Sequence, residues 1–89
     1  MAEKSPKDMT FSELCELLNY IPKNRLLTTD ELSEIVGLQP ATVRAFRFHG
    51  TGPKFLKPPG SGVVLYSETD VLRWIASGRK QNTSEGAAA

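Results

Sequence analysis

Two apolar stripes of helical spacing meet across a glycine and a proline, and that corner restricts the folds open to the chain. Thr28 and Glu31 stand at the spacing of a capping box, in which two side chains satisfy backbone N–H groups left open at a helix start. Asp30 and Glu31 suit the positive end of the helix dipole. Leu32, Ile35 and Val36 share one face, and Gly37 supplies the left-handed residue that ends such a helix. Pro40 fits the first position of a second helix, where its missing N–H costs nothing. Val43 and Phe46 lie three apart on one side of it, and Thr42, Arg44 and Arg47 fall mostly on others. Gly50 and Gly52-Pro53 stop it. The spacing predicts two short helices packed face to face, with the polar and basic side of the second turned outward.

The flanking segments extend this unit. Residues 1–9 are polar and lysine-bearing, and are expected to be disordered. An accessory helix is expected over 10–22, with a Thr10/Glu13 capping box, Met9 and Leu14 placed as a hydrophobic staple, and Phe11, Leu14, Leu17, Leu18 and Ile21 on one face. Pro22 ends it, because the residue before a proline avoids the helical region. Beyond Pro53 the period changes. Lys54-Phe55-Leu56-Lys57 and Val63-Val64-Leu65-Tyr66 read as strands around a Pro58-Pro59-Gly60-Ser61-Gly62 turn, which predicts a β-hairpin. Ser67 and Asp70 start a last helix, with Val71, Leu72, Trp74 and Ile75 on its apolar side and Gly78 at its end. The tail over 80–89 is polar and small, and disorder is expected there. The fold expected is α+β, mostly α: a helix-turn-helix, a hairpin wing and a C-terminal helix over 26–79, preceded by the extra helix.

Charge is unevenly distributed. Met1 to Leu38 holds four Lys/Arg against seven Asp/Glu, a net −3, whereas Gln39 to Lys80 holds seven against two, a net +5. Such asymmetry fits one basic surface facing a polyanion. In a helix-turn-helix the second helix enters the major groove of duplex DNA, so its outer face must carry groups for phosphates and base edges. Gln39, Thr42, Arg44, Arg47 and His49 are the candidates: arginine presents two donors to guanine, glutamine can pair with adenine, and a helix-end histidine caps or meets phosphate. On the hairpin, Lys54 and Lys57 can reach phosphates, while Ser61 and Gly62 at the tip let backbone approach DNA closely. The lysines also have a purely structural account, since charge on a short exposed strand discourages edge pairing.

Other functions lack the residues they need. His49 is the one histidine and has no partner at a nucleophilic or metal-binding spacing. Gly60-Ser61-Gly62 lacks the lysine and helix start of a phosphate-binding loop. Cys15, the single cysteine, forms no disulfide within the chain and reads as a small apolar residue on a helix face. Tyr66 and Trp74 read as core aromatics. No catalytic activity, metal or cofactor is expected. No apolar run reaches the length of a membrane span, and residues 1–8 lack the apolar stretch of a signal peptide, so a cytoplasmic protein with no membrane partner is expected.

Leu26-Leu27-Thr28-Thr29-Asp30-Glu31-Leu32, Val36-Gly37-Leu38, Thr42-Val43-Arg44, Phe46, Gly52-Pro53-Lys54-Phe55, Val64-Leu65-Tyr66, Asp70-Val71 and Trp74 together resemble the small excisionase and AlpA-like regulators of the MerR-like winged-helix superfamily. The similarity spans about Leu26 to Ser77. It implies that the second helix of the corner is the recognition helix, that Lys57–Val63 is the wing, that Arg44 contacts the DNA backbone and that Phe46 belongs to the core. Two departures stand out: Gln39 occupies a cap position where the family has serine or threonine, and the 10–22 helix is not part of the family core. The role implied is architectural, with several copies bending DNA and recruiting a tyrosine integrase toward excision. A phage-type transcription regulator shares the fold. The leucine face of the extra helix (Phe11, Leu14, Leu17, Leu18) either covers the chain's own core, pairs with a second copy, or binds a partner protein as an adaptor would.

Overall fold

A computed structural model describes residues 4–78. Residues 1–3, Arg79, Lys80 and the tail expected to be disordered over 80–89 lie outside the described residues. Among those described, the helices are α1 (Phe11–Leu18), α2 (Thr29–Val36), α3 (Pro40–His49) and α4 (Glu68–Ser77), with a 3-10 turn at Pro6–Asp8. Strands β1 (Leu27–Thr28) and β2 (Leu65–Tyr66) form an antiparallel pair in which Leu27 faces Tyr66 and Thr28 faces Leu65. The molecule is thus a small, mostly helical α+β fold. No described helix is long and apolar enough to cross a membrane.

The helix starts follow the caps read from sequence. Thr10 and Glu13 form a complete capping box, as do Thr28 and Glu31, and the Ser67 hydroxyl accepts from the Asp70 N–H. Three helix ends share one device. Asn19, Gly37 and Gly50 each adopt the left-handed conformation, and the next residue donates its N–H five residues back: Tyr20 to Cys15, Leu38 to Ser33, Thr51 to Phe46. This closes carbonyls that a helix end leaves open. It also corrects the first helix, which ends at Leu18 and not at Pro22, because asparagine tolerates the left-handed region and stops the helix earlier. Ile21 then lies outside it and is 85% exposed instead of lining an apolar face.

Two apolar clusters stand on either side of α4. Leu27, Leu32, Val43, Tyr66 and Val71 are buried together, with Ile35, Val36, Val64 and Ile75 packed around them. Leu14, Leu72 and Ala76 form the second, covered by Met9, Phe11, Cys15, Leu17 and Leu18. Of the alternatives left open for the leucine face of α1 (Phe11, Leu14, Leu17, Leu18), the structure takes the first: the face covers its own chain, against α4, with Leu14 fully buried and the others half-buried around it, which leaves little of it for self-association. Burial, with the charge of Glu68 nearby, pushes the Cys15 thiol up, in keeping with a packed and not a reactive cysteine.

Buried Glu68 ties the two halves together. Its carboxylate accepts from the Tyr20 hydroxyl and from the backbone N–H groups of Lys23 (2.8 Å) and Asn24 (2.9 Å), so the linker between α1 and β1 is fastened to the start of α4. Burial opposes its ionisation, but the tyrosine and the N–H donors prevail and hold the carboxyl below its usual range. The expected disorder of residues 1–9 is also revised over its described part. Pro6–Asp8 make a 3-10 turn, and Arg73 of α4 donates to the carbonyls of Pro6 (3.2 Å) and Met9 (2.9 Å).

Candidate nucleic-acid interface

Helices α2 and α3 are joined by Gly37, Leu38 and Gln39 alone, and pack through Leu32 and Val43. Their contact, with α2 also against β1 and β2, fixes the pose of α3. On α3 the buried position is Val43, with Phe46 and Arg47 half-buried beside it. Ala41, Thr42, Arg44, Ala45, Phe48 and His49 are exposed. The first helical position is Pro40, and the Gln39 side chain makes no capping hydrogen bond. Its amide is therefore uncommitted, in line with the departure from a serine or threonine cap.

Arg44 is exposed, and the ion pairs among the described residues are Lys4–Glu13 and Arg25–Glu31, neither of which involves it. Lys54 and Lys57 are likewise exposed and outside both pairs. The segment from Ile35 to Ser67 contains no acidic residue at all, so these cations have no nearby carboxylate in sequence to neutralise them. Glu31 is committed elsewhere: Arg25 and the Thr28 backbone hold its carboxyl at about 2.

Arg47 departs from the expectation of an outward base-reading residue. Its guanidinium donates to the Tyr66 hydroxyl at 2.9 Å and to the Thr29 hydroxyl at 3.3 Å, and stands over the Phe55 ring at 5.9 Å. One side chain thus spans α3, the start of α2, β2 and the arm beyond Pro53. The reason lies in helix geometry: position 47 is one turn beyond buried Val43, on the core side of α3. A half-buried guanidinium needs partners, and hydroxyls with an aromatic face supply them.

The arm beyond Pro53 is less regular than a hairpin of two strands. Leu56 and Leu65 exchange both backbone hydrogen bonds (2.6 and 2.8 Å), making one isolated bridge on the side of β2 away from β1. The arms at Lys54–Lys57 and Val63–Val64 otherwise form no ladder. Their tip is a tight turn in which the Ser61 N–H donates to the Pro58 carbonyl at 3.1 Å and Gly60 has φ +76°. Proline at the second place and left-handed glycine at the third are the requirements of a type II turn. Ser61 is used inside the turn, its hydroxyl accepting the Val63 N–H at 2.9 Å, which revises its role as a freely presented contact. Gly62 is exposed, as expected of a tip residue.

The connection between α3 and this arm is pinned from behind. Trp74 of α4 donates its indole N–H to the Thr51 carbonyl at 2.9 Å and meets the Phe46 ring edge-on, with centroids 5.6 Å apart. A Cβ on Gly52 would stand 3.0 Å from that of Phe46, so only glycine passes there without displacement. Pro53 is buried next to it. A cleft of about 430 Å³ opens between the end of α3 and the arm, lined by Arg47, Gly50, Gly52, Pro53, Lys54 and Phe55, so Lys54 lies alongside the C-terminal end of α3. His49 is exposed at that end, its ring edge-on to Phe48 at 5.5 Å; Gly50, not His49, caps the helix.

Sequence reasoning passed over Phe48, the most exposed large apolar residue of the fold at 86%. Its place seven residues after Ala41 and three after Ala45 was the available signal. Among family models, curated proteins and solved structures, nothing matches this chain.

Proposed function

We propose that the chain is a winged-helix protein of the excisionase and AlpA-like kind. In this reading α3 lies in the major groove of double-stranded DNA, the arm from Lys54 to Val64 serves as the wing, and the protein acts without catalysis. The observation that carries the reading is the outward face of α3. It bears Arg44, outside the ion pairs of the described residues, with Thr42 and Gln39 at its start, lies in a 33-residue stretch free of acid, and stands on a scaffold that fixes its angle. Polyanion binding by such a face is driven by counterion release, and base selection by the side chains that reach groove edges. Lys54 and Lys57 add phosphate contacts on the arm.

The finer role is excision. Several copies bend attachment-site DNA and hold a tyrosine integrase in the arrangement that favours excision over integration. Bending a short site costs roughly 1–6 kcal/mol, which contacts between neighbouring copies and with integrase offset. Because Leu14 is internal and Leu17 and Leu18 pack half-buried beside it, the proposal puts those contacts on other surfaces of the protein.

An in vitro recombination assay tests the role, using integrase and attachment-site DNA from the same replicon with and without this protein. Excision that depends on the protein supports it. Tight, sequence-selective binding with no effect on recombination would transfer the protein to promoter regulation. Binding indifferent to sequence and abolished by moderate salt would remove both.

A further inference from the structure

Ala41, Ala45 and Phe48 fall at intervals of four and three on α3, which places them on one helix face, and all three are exposed. Phe48 contacts the His49 ring edge and is otherwise turned to solvent. Arg44 borders the same side, three residues after Ala41 and four before Phe48. Two alanines ahead of a phenylalanine leave a helix surface with little bulk, so its backbone can come close to an opposing surface before the ring makes contact.

The charge around this patch selects its occupant. No acid occurs between Ile35 and Ser67, and Arg44 and His49 border the ring. A second copy docked face to face would set this basic, acid-free patch against its own equivalent, since a two-fold contact repeats the same patch. A duplex offers phosphates to the cations and, in the floor of the major groove, an apolar group: the C5-methyl of thymine, which alanine and phenylalanine are suited to touch.

We infer that the Ala41–Ala45–Phe48 face reads thymine methyl groups in the major groove, with Phe48 as the residue that sets this preference. The inference rests on the DNA-binding reading and adds the base class that α3 selects.

The test begins with duplexes selected by the full-length protein from a random pool. Thymine is then replaced by deoxyuridine, one position at a time, which removes only the methyl group. At one or two positions, binding weakens about fourfold, the effect of one buried methyl group. Phe48→Ala binds the thymine and uracil duplexes alike, whereas Arg44→Ala weakens both and keeps their ratio. Phe48 is almost fully exposed, so its replacement leaves the fold intact.

Thymine and uracil duplexes bound equally, with affinity otherwise intact, would overturn the inference and leave DNA binding standing. So would a selected site with no fixed thymine, or a Phe48→Ala protein whose DNA-free mass in sedimentation differs from that of the parent. Absence of binding to any duplex would instead overturn the DNA-binding reading itself.

Discussion

The Arg47 guanidinium donates to the hydroxyl of Tyr66 at 2.9 Å, and the tyrosine ring is itself buried in the cluster shared by α2, α3 and α4. The last turn of α3 is thereby joined to β2, and through Phe55 to the arm. The two surfaces proposed to meet DNA are held as one body, and Arg47 acts as a positioning residue between them.

A double-mutant cycle checks that relationship. Arg47→Ala and Tyr66→Phe each remove one end of a charge-assisted hydrogen bond, worth about 1.5–3 kcal/mol where it is shielded. Half-exposure of Arg47 lowers the expected coupling to about 1 kcal/mol in urea denaturation. Strict additivity of the two variants would show that the contact holds nothing.

Arg44 should behave in the opposite way. It is exposed and outside the ion pairs of the described residues, so Arg44→Ala changes stability by less than about 0.5 kcal/mol. It weakens binding to all duplexes alike and lowers the salt dependence by about one counterion. Arg47→Ala, by contrast, loses stability along with affinity. Equal stability effects from the two arginines, measured by thermal melting, would contradict this division.

Leu14→Ala leaves a hole between α1 and α4. A buried leucine truncated in this way costs about 2–5 kcal/mol, and in a domain of this size the melting temperature falls by more than about 10 °C. Because the α1 face is internal, the subunit count in sedimentation stays that of the parent. A change of assembly with little loss of melting temperature would return this face to a role between chains.

Acid should loosen the molecule through its glutamates. Glu13, Glu31 and Glu68 all have carboxyl groups held below the ordinary value near 4.5, Glu31 at about 2. Each depressed group stabilises the fold fully above its unfolded value, and that contribution is lost as pH falls through the folded one. Melting temperatures are therefore expected to be level above about pH 5 and to drop between about 4.5 and 2. Glu68→Gln, which weakens the acceptor for Tyr20, Lys23 and Asn24, lowers stability at neutral pH and flattens part of that drop. A pH profile identical to the parent's would exclude Glu68 as a contributor.

Local chemistry made much of this legible. Thr10, Thr28 and Ser67 mark helix starts and Gly37 and Gly50 mark ends, because caps depend on neighbours within five residues. Asn19 uses the same end signal in a weaker form, and Pro22 masked it. Strand β1 was hidden because it is only Leu27 and Thr28, and Thr28 also caps α2. The roles of Arg47 and Glu68 depend on partners 18 to 48 residues away, which no local pattern encodes. On α3, Arg44 was readable as outward, whereas Phe48 drew no reading although its spacing from Ala41 and Ala45 set it on the exposed side.

Helix α4 presents Val71 to one apolar cluster and Leu72 with Ala76 to the other. A ribosome makes α4 after every other described element, so the leucine face of α1 stays uncovered until Glu68–Ser77 emerges. The α1 half is therefore expected to settle late in synthesis, after the α2–α3 corner has already found its own partners in β1 and β2.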